Sequence, residues 1–403
     1  MTGIAQFRKR GPLRTLFVES GTEMGGAQIA LLTMLRALDR NRVAPFYASL
    51  GFGAGNLPEQ VESLGIPVFR LRAGRFRKIR ATFARIAELV RIMRGQAIDI
   101  VLANSGHPLL FARPAALIAG RPCACWVHGH FPGDAVRGQA IALALQAVSA
   151  DALLANSEWT ARQLRADSRD ACSIRIVRDG IDLTQFGAWQ SAMHIRAGHQ
   201  IPAHRVLVGL FGRLHPFKGQ HIFLQAAAAL ARRKSNCIYW IVGGTPFNLA
   251  PGYAESLRRQ AEASGLNGNV QFLGQRQDVS GLMQACDIVV HCSVEPEPWG
   301  LVVAEAMASG KPVIATAAGG PREMIEDGRT GLLIPPGDAS ALAVALERLA
   351  SDPSLRRALG IAARQHAERH FDMCQAAEHL SDELLRVCEA YRPAPWRSTK
   401  DRR

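Results

Sequence analysis

The chain has 403 residues, of which 48% are hydrophobic, and it carries a formal net charge of +14. No uninterrupted apolar run reaches the roughly 18 residues that a membrane-spanning helix needs. The basic N-terminus leads into a short strand and lacks the apolar core of a signal peptide. These features argue against a membrane-spanning or secreted protein, and we expect a cytoplasmic protein of two to three domains.

The chain alternates short apolar strands with helical patterns throughout, which predicts parallel sheets wrapped by helices. A polar, irregular stretch near 183–203 separates two series of strands, and we interpret it as a linker. The predicted domains are 1–190, 200–372 and a C-terminal helix with a basic tail at 373–403, the helix packing back on the N-terminal domain. The predicted strands are 13–19, 43–50, 67–71, 98–104, 123–128, 151–156 and 174–178, then 205–212, 238–244, 270–274, 287–292, 312–316 and 331–335.

Polar loops follow the first strand. Gly25 and Gly26 open the first helix, and glycines there allow a phosphate or an acceptor to approach the backbone closely. Glu19 and Glu23 lie near the same mouth, where either contact with an acceptor hydroxyl or plain solvation is expected. No G-x-G-x-x-G follows this strand, which disfavours a nicotinamide cofactor.

The excess positive charge lies in the N-terminal half, where residues 1–190 carry 24 Lys and Arg against 14 Asp and Glu. It is densest in segment 70–95, whose apolar side chains are spaced as one helical stripe. We predict that this stripe packs on the sheet, while the arginines either give solubility or attract an anionic membrane surface. No stacking motif supports binding to nucleic acid. The stripe consists of Phe76, Ile79, Phe83, Ile86, Val90 and Met93.

Two strand ends carry candidate catalytic side chains. His128 ends the strand CACWVH and starts a Gly-His-Phe-Pro-Gly loop, which also contains the weaker candidate His130. Gly212 is the last residue of the strand RVLVGLFG, and Arg213 and Lys218 follow it. A guanidinium can form paired bonds to phosphate oxygens, and an ammonium supplies a point charge, so this pair can neutralise a departing diphosphate.

The segment from Glu297 to Gly320 places two carboxylates, Glu297 and Glu305, eight positions apart. An apolar run predicts a helix that begins near Gly300, with Glu297 on the preceding loop and Glu305 inside the helix. A helix start offers unpaired backbone N–H groups and a positive dipole end, which suit a phosphate. Carboxylates accept hydrogen bonds from hydroxyls such as those of a ribose or a hexose.

This segment resembles the signature of the retaining glycosyltransferases of family 4, in which two glutamates precede a small-residue helix, G-x-P-V-I-A and a Gly-Gly pair. The resemblance spans roughly residues 13–390 and includes GTEMGGAQ, VHG, ANS, DGID and GRLHPFKG. Two departures are visible. Asp179 stands where the family usually has Asn, and Trp299 replaces the commoner Phe, which suggests a reshaped sugar pocket.

The resemblance implies a GT-B fold, with two doubly wound Rossmann-like domains facing across a cleft. It assigns Glu305 to ribose hydroxyls, Glu297 to the donor sugar and His128 to the reacting centre. It also assigns the backbone N–H groups of Gly300, Leu301 and Val302 to the donor.

We therefore expect a retaining glycosyltransferase that moves a sugar from a nucleotide-diphosphate sugar to a glycan or lipid-linked glycan. No cofactor and no metal are implied, since cationic side chains and a helix dipole would stabilise the leaving group. The alternatives are a GT-B sugar-nucleotide epimerase or phosphorylase, or a non-catalytic carbohydrate-binding homologue. A location at the inner membrane face follows only if the basic helix binds lipid.

Overall fold

The computed structural model describes residues 11–71, 79–129, 150–167, 173–187, 189–233, 235–245 and 250–392. The chain divides into two compact units. One is formed by Met1–Gly180 with Cys374–Arg403, and the other by Ile181–Met373. Each contains a parallel sheet wrapped by helices, which confirms the predicted doubly wound α/β class.

The first unit is built on a seven-stranded sheet of order β3-β2-β1-β4-β5-β6-β7. Apolar clusters cover both faces of this sheet, which is why its central strands are apolar at almost every position. Its strands are Leu13–Gly21, Val43–Phe52, Val68–Arg70, Ile100–Asn104, Cys123–Val127, Ala152–Ala155 and Ser173–Ile176 (β1–β7). Its helices are Gly26–Ala37, Leu57–Glu62, Ile79–Gly95, Gly106–Ala119 and Glu158–Asp167 (α1–α5).

The second unit is built on a six-stranded sheet of order β10-β9-β8-β11-β12-β13. Its strands are Val206–Phe211, Cys237–Val242, Val270–Gly274, Ile288–His291, Val313–Thr316 and Leu332–Ile334 (β8–β13). Its helices are Trp189–Gly198, Gln220–Arg232, Tyr253–Ala263, Val279–Ala285, Leu301–Ala308, Pro321–Met324, Ala339–Ser351 and Pro353–His370 (α6–α13).

The last helix, Met373–Ala390 (α14), returns to the first unit. Its apolar face joins the core on one side of the seven-stranded sheet. Ion pairs to Arg42 and Arg175 help to hold it there: Arg42 Nη2 lies 2.5 Å from Asp382 Oδ1, and Arg175 Nη1 lies 2.8 Å from Glu383 Oε2.

The predicted linker is wrong in position. The first unit ends at Gly180 rather than near residue 190, and stretch 183–203 contains the 3₁₀ turn Leu183–Phe186 and helix α6. The stretch belongs to the second unit because Arg196 on α6 bonds to Asp287 Oδ2 and to two backbone carbonyls there. The stretch resembles a linker in sequence because polar residues interrupt it, although it contains a helix packed on the second unit.

The predicted apolar stripe of the basic segment is only partly correct. On α3, Val90 and Met93 are buried and Ile86 is half-buried, as predicted, but Phe83 is 67% exposed. Arg85 is buried instead, with its guanidinium carbon 4.9 Å from the centre of the Phe52 ring. Leu89 and Ile92 also face inward, so the buried face is rotated from the predicted one. Phe76 and the side chain of Ile79 lie outside the described residues.

In both sheets the strand order reverses direction at a central pair, β1 and β4 in the first and β8 and β11 in the second. Ligands of doubly wound sheets bind outside the carboxyl ends of the strands at such a switch point. The segments that follow these four strands are therefore the places to examine.

None of the helices in the described part of the chain combines the length and apolar composition that crossing a bilayer requires.

Candidate active site

In the second unit, the switch point collects the residues predicted to bind a diphosphate. Gly212 follows β8 directly, Arg213 comes next, and Lys218 closes the 3₁₀ turn Pro216–Lys218. Phe217 lies between the two cationic groups, with its ring centre 5.7 Å from the guanidinium carbon of Arg213 and 5.0 Å from Nζ of Lys218. One aromatic side chain thus supports both positive charges.

The Arg213 side chain is half-buried, and its buried Nε has no hydrogen-bond partner. No described residue accepts a hydrogen bond from its guanidinium. Burial lowers the pKa of Arg213 from its usual value, and the charge of Glu297 opposes that shift. A desolvated guanidinium without an acceptor is costly unless a ligand supplies one, and a phosphate has the matching charge and geometry.

Lys218 makes a direct ion pair with Glu297. Its Nζ lies 2.6 Å from Glu297 Oε1, and the two side chains are 18% and 10% exposed. His291 Nε2 lies 2.9 Å from the same oxygen, and the Ser293 hydroxyl also donates to it. Three donors therefore converge on one carboxylate oxygen.

Burial by itself would raise the pKa of Glu297. The charges of Lys218 and His291, together with their hydrogen bonds, outweigh it and hold the pKa of this carboxyl well below its usual range. Glu297 is consequently an ionised acceptor inside a mostly dry site, where electrostatic interactions are stronger than in water.

The Gly-Gly pair at the end of the motif explains how Glu297 is placed. Gly320 N donates to the Glu297 carbonyl at 2.8 Å. Gly319 has a φ of +65°, and a Cβ there would lie 2.1 Å from that same carbonyl oxygen. Any side chain at this position would push the loop away, so the glycine allows the close backbone approach that holds Glu297.

Helix α10 begins where the sequence predicts. Gly300 precedes it with a φ of +99°, a conformation that favours glycine. Leu301 and Val302 are its first two residues, so their N–H groups have no partner within the helix. The site thus offers backbone donors at the positive end of a helix dipole, as phosphate groups require.

Glu305 lies on the same helix and differs sharply from Glu297. The side chain is half-buried and makes no hydrogen bond or ion pair with a described residue. Burial raises its pKa to about 7. An unpartnered carboxyl of this kind is suited to accept hydrogen bonds from ligand hydroxyls.

Trp299 does not bear out the expectation of a reshaped sugar pocket. Its side chain is 3% exposed and packs edge-to-face on Phe371, with ring centres 5.7 Å apart. Trp299 therefore belongs to the apolar core beneath α10.

In the first unit, Gly25 precedes α1 and Gly26 is its first residue, and no side chain caps this helix start. Glu19, however, is not a solvated loop residue. It is 1% exposed, and its Oε1 accepts hydrogen bonds from the N–H groups of Ser20 and Gly21 at 2.7 and 2.8 Å. These hydrogen bonds hold the end of β1 from within.

Asn104 connects Glu19 to His128. Its Nδ2 donates to Glu19 Oε2 at 2.5 Å, and its Oδ1 lies 2.8 Å from His128 Nε2. On the other side of the ring, His128 Nδ1 lies 3.3 Å from Asp179 Oδ1, but without hydrogen-bond geometry. Asp179 accepts instead from Asn156 Nδ2 at 3.1 Å. His130 lies outside the described residues.

Sequence reasoning missed several members of these networks. His291 ends a buried strand and His128 directly follows one, so the same kind of signal points to it. Ser293 and Asn104 gave no comparable signal, because each acts through a partner that the sequence does not identify.

Comparison with known proteins adds the family. The model for glycosyltransferase family 4 matches residues 24–185, and the model for glycosyl transferases group 1 matches residues 193–366. The chain belongs to the family 4 glycosyltransferases.

Its curated relatives include D-inositol 3-phosphate glycosyltransferases. That of Corynebacterium urealyticum is 34% identical over 61% of this chain and 58% of its own length. That of Saccharomonospora viridis is 31% identical over 73% of this chain and 66% of its own length. The chain thus spans less than two thirds of these relatives.

Among solved structures, HepE (Alr3699) of Anabaena in complex with UDP and glucose resembles the chain with a TM-score of 0.81. The two are 27% identical, and the match covers 92% of this chain and 99% of HepE. The same protein has been solved with UDP-glucose. The neighbouring structures are GT-B glycosyltransferases, which confirms the fold implied by the resemblance.

Proposed function

We propose that this protein is a retaining glycosyltransferase that moves a hexose from a UDP-sugar to a hydroxyl group of an acceptor. One observation carries the proposal. The switch point of the second sheet combines a guanidinium without an acceptor, an ammonium paired with a buried carboxylate, a free helix start and an unpartnered carboxyl. A nucleotide-diphosphate sugar offers complementary groups to all four.

The diphosphate is the leaving group, and its developing negative charge must be stabilised. Arg213 and Lys218 supply positive charge beside the end of β8, and the start of α10 supplies N–H donors. The Lys218 ammonium has three N–H groups, and only one of them is needed for Glu297. The others can bind a phosphate oxygen, so Lys218 can contact the carboxylate and the diphosphate at once. Because these groups stabilise the leaving group, we expect full activity in excess chelator.

Glu297 and Glu305 select the two sugars of the donor. We assign ionised Glu297 to hydroxyls of the transferred hexose and Glu305 to the ribose hydroxyls. The crystallised relative that binds UDP and glucose supports UDP-glucose as the first donor to examine.

Retention requires the new bond to form on the face from which the old one leaves. The bond between the anomeric carbon and the diphosphate oxygen breaks, and a bond to the acceptor oxygen forms on that face. The acceptor proton passes to the departing phosphate oxygen. In this scheme no protein nucleophile is needed, and His128 supports the reacting centre.

The acceptor binds through the first unit, with Gly25 and Gly26 allowing close approach to the start of α1. The names of the curated relatives support a polyol phosphate as the first acceptor to examine. A glycan or a lipid-linked glycan is the second. Binding at an anionic membrane face is supported by exposed Arg80 and Phe83 on α3.

A screen of nucleotide sugars with the purified protein tests the proposal. Calorimetry should detect UDP and one or more UDP-sugars, and NMR should show slow donor hydrolysis and, with an acceptor, a product of unchanged anomeric configuration. The screen is run with and without excess EDTA. Inverted products would overturn retention, and failure to bind any nucleotide sugar would overturn the donor class.

A further inference from the structure

The hydrogen bonds to Glu297 are strongly asymmetric. Lys218 Nζ, His291 Nε2 and the Ser293 hydroxyl all contact Oε1. No described residue donates to Oε2. Since the side chain keeps 10% of its surface exposed and Oε1 is enclosed by three donors, Oε2 is the oxygen that a ligand can reach.

We propose that His291 is a positioning residue for donor-sugar recognition: it locks Oε1 of Glu297 so that Oε2 is presented as the acceptor for a hydroxyl of the transferred sugar. The inference rests on the proposed function and deepens it. It adds a residue that the sequence did not identify.

The main contact of the His291 imidazole is with Oε1 of Glu297. It ends β11, is 5% exposed, and within the described chain has hydrogen-bonding contacts only with Glu297 and Ser293. Its Nδ1 is buried and has no hydrogen-bond partner in the described part of the chain. Since the Glu297 carboxylate can only accept, Nε2 carries the proton and donates to Oε1.

The main chain of Glu297 is held independently of the side chain. Its carbonyl accepts from Gly320 N, and it forms a bridge with Gly319. The backbone is thus fixed on one side and Oε1 on the other, so the carboxylate has little freedom left before the donor arrives. Holding an acceptor in place in advance reduces the entropy lost on binding.

This arrangement has a consequence for specificity. A carboxylate oxygen accepts hydrogen bonds and cannot donate them, so Oε2 recognises a sugar hydroxyl but not a hydrogen or fluorine atom in its place. A donor that lacks the contacted hydroxyl would leave Oε2 of this buried carboxylate without a hydrogen bond, which is how such sites reject close analogues.

Calorimetry with UDP and UDP-glucose tests the proposal, using the unsubstituted protein, His291→Leu and His291→Gln. Leucine removes the donor to Oε1, whereas the glutamine amide can replace it. For His291→Leu we expect UDP affinity within twofold of the original and UDP-glucose affinity about tenfold lower, as for loss of a hydrogen bond to a charged group. His291→Gln should recover most of the loss. His199→Leu, at a half-buried histidine packed on Trp240, is the matched control.

A panel of UDP-glucose analogues, each lacking one hydroxyl, gives a second measurement. The unsubstituted protein should discriminate against one analogue, and that discrimination should shrink in His291→Leu. If His291→Leu does not fold, Ser293→Ala is measured in its place, because it removes another donor to the same oxygen.

Three outcomes would overturn the proposal. UDP and UDP-glucose could weaken equally, which indicates general damage to the unit. UDP-glucose could bind His291→Leu as tightly as the original, or His291→Gln could bind it as weakly as His291→Leu. Absence of UDP binding by the unsubstituted protein is a distinct result, since it removes the proposed function itself.

Discussion

Each unit holds a buried glutamate at the switch point of its sheet, yet the surroundings of the two carboxyl groups shift their pKa values in opposite directions. Around Glu19 the partners are backbone N–H groups and the neutral amide of Asn104, and burial raises its pKa. Around Glu297 an ammonium and an imidazole face the carboxylate, and its pKa is held well below the usual range.

The difference shows what each edge is built to do. The hydrogen bonds around Glu19 are satisfied within the protein and brace loops. The edge around Glu297 leaves three groups without a hydrogen-bond partner within the described residues: the Arg213 guanidinium, Glu297 Oε2 and the whole Glu305 carboxyl. Unfilled donors and acceptors beside a fixed charge pair are typical of a ligand site, whereas a satisfied network is typical of a structural one.

Removal of the ammonium should have the largest effect. Lys218→Ala leaves Glu297 buried without its cation and removes a charge that faces the leaving diphosphate. We expect turnover to fall on the order of 100- to 1000-fold, more than donor affinity falls. The free energy of unfolding should drop by about 3–5 kcal/mol.

Steady-state kinetics and urea unfolding measure the two effects. The double variant Lys218→Ala/Glu297→Gln should regain stability, because no unpaired charge remains in the site. It should not regain turnover, because the ammonium and the carboxylate are both still missing. Unchanged turnover in Lys218→Ala would remove its role in departure of the diphosphate.

Removal of the unpartnered carboxyl comes next. Glu305→Ala should weaken UDP binding by about 1–3 kcal/mol, since hydrogen bonds from the ribose hydroxyls to a charged group are lost. The fold should survive, because the Glu305 side chain has no hydrogen-bond partner among the described residues. Glu295→Ala, at an exposed glutamate of the neighbouring loop, is the control. Calorimetry that finds equal affinities for both variants would reject the ribose assignment.

The raised pKa of Glu305 predicts a proton linkage. Its folded-state pKa of about 7 lies above the ordinary glutamate value of 4.5, so its contribution to stability is present at low pH and is lost as pH rises through 7. Ribose hydroxyls bind the ionised form of Glu305 better than the protonated form. Below pH 7, UDP binding should therefore release protons, and UDP affinity should fall by up to about tenfold for each unit by which the pH decreases.

Calorimetry in buffers of different ionisation enthalpy counts these protons directly. Glu305→Gln should abolish the release while Glu19→Gln retains it. Proton release that persists in Glu305→Gln would assign the linkage to another group.

A smaller effect is expected in the first unit. Glu19→Gln keeps an oxygen that can accept from Ser20 and Gly21, and it removes a buried charge. Its amide conflicts with Asn104, so we expect unfolding free energy to change by only about 1 kcal/mol and UDP affinity to stay constant. Thermal unfolding measures the change in stability, and calorimetry measures UDP affinity. If Glu19→Gln weakened UDP binding as much as Glu305→Ala does, the Glu19 network could not be purely structural.

The smallest effect on stability is expected on the outer surface of α3. Arg80→Glu with Phe83→Ser should leave the free energy of unfolding unchanged, because both side chains are exposed. Binding to anionic vesicles should fall on the order of tenfold and should be salt-sensitive. Vesicle sedimentation measures this, with exposed Arg357→Glu in the second unit as control. Equal binding to neutral vesicles would exclude electrostatic attraction. Buried Arg85 is unsuitable for charge reversal.

The class of fold and the place of the motifs could be predicted from the sequence alone. Strand–helix alternation was sufficient, because a parallel sheet covered on both faces requires short apolar strands separated by helices. The start of α10 was also predictable, since Gly300 and the apolar run after it are local signals. Glu297 and Glu305 fell on the loop and the helix as predicted.

Which side chains meet could not be predicted from local sequence, because it depends on how distant segments pack. Lys218 and Glu297 are 79 residues apart in the chain, and Asn104 and Glu19 are 85 apart. Packing of whole strands brings such pairs together, and no local period encodes it. The same reason explains Phe83 and Arg85: the periodicity of α3 predicted a helix, but the neighbouring elements determined which face is buried.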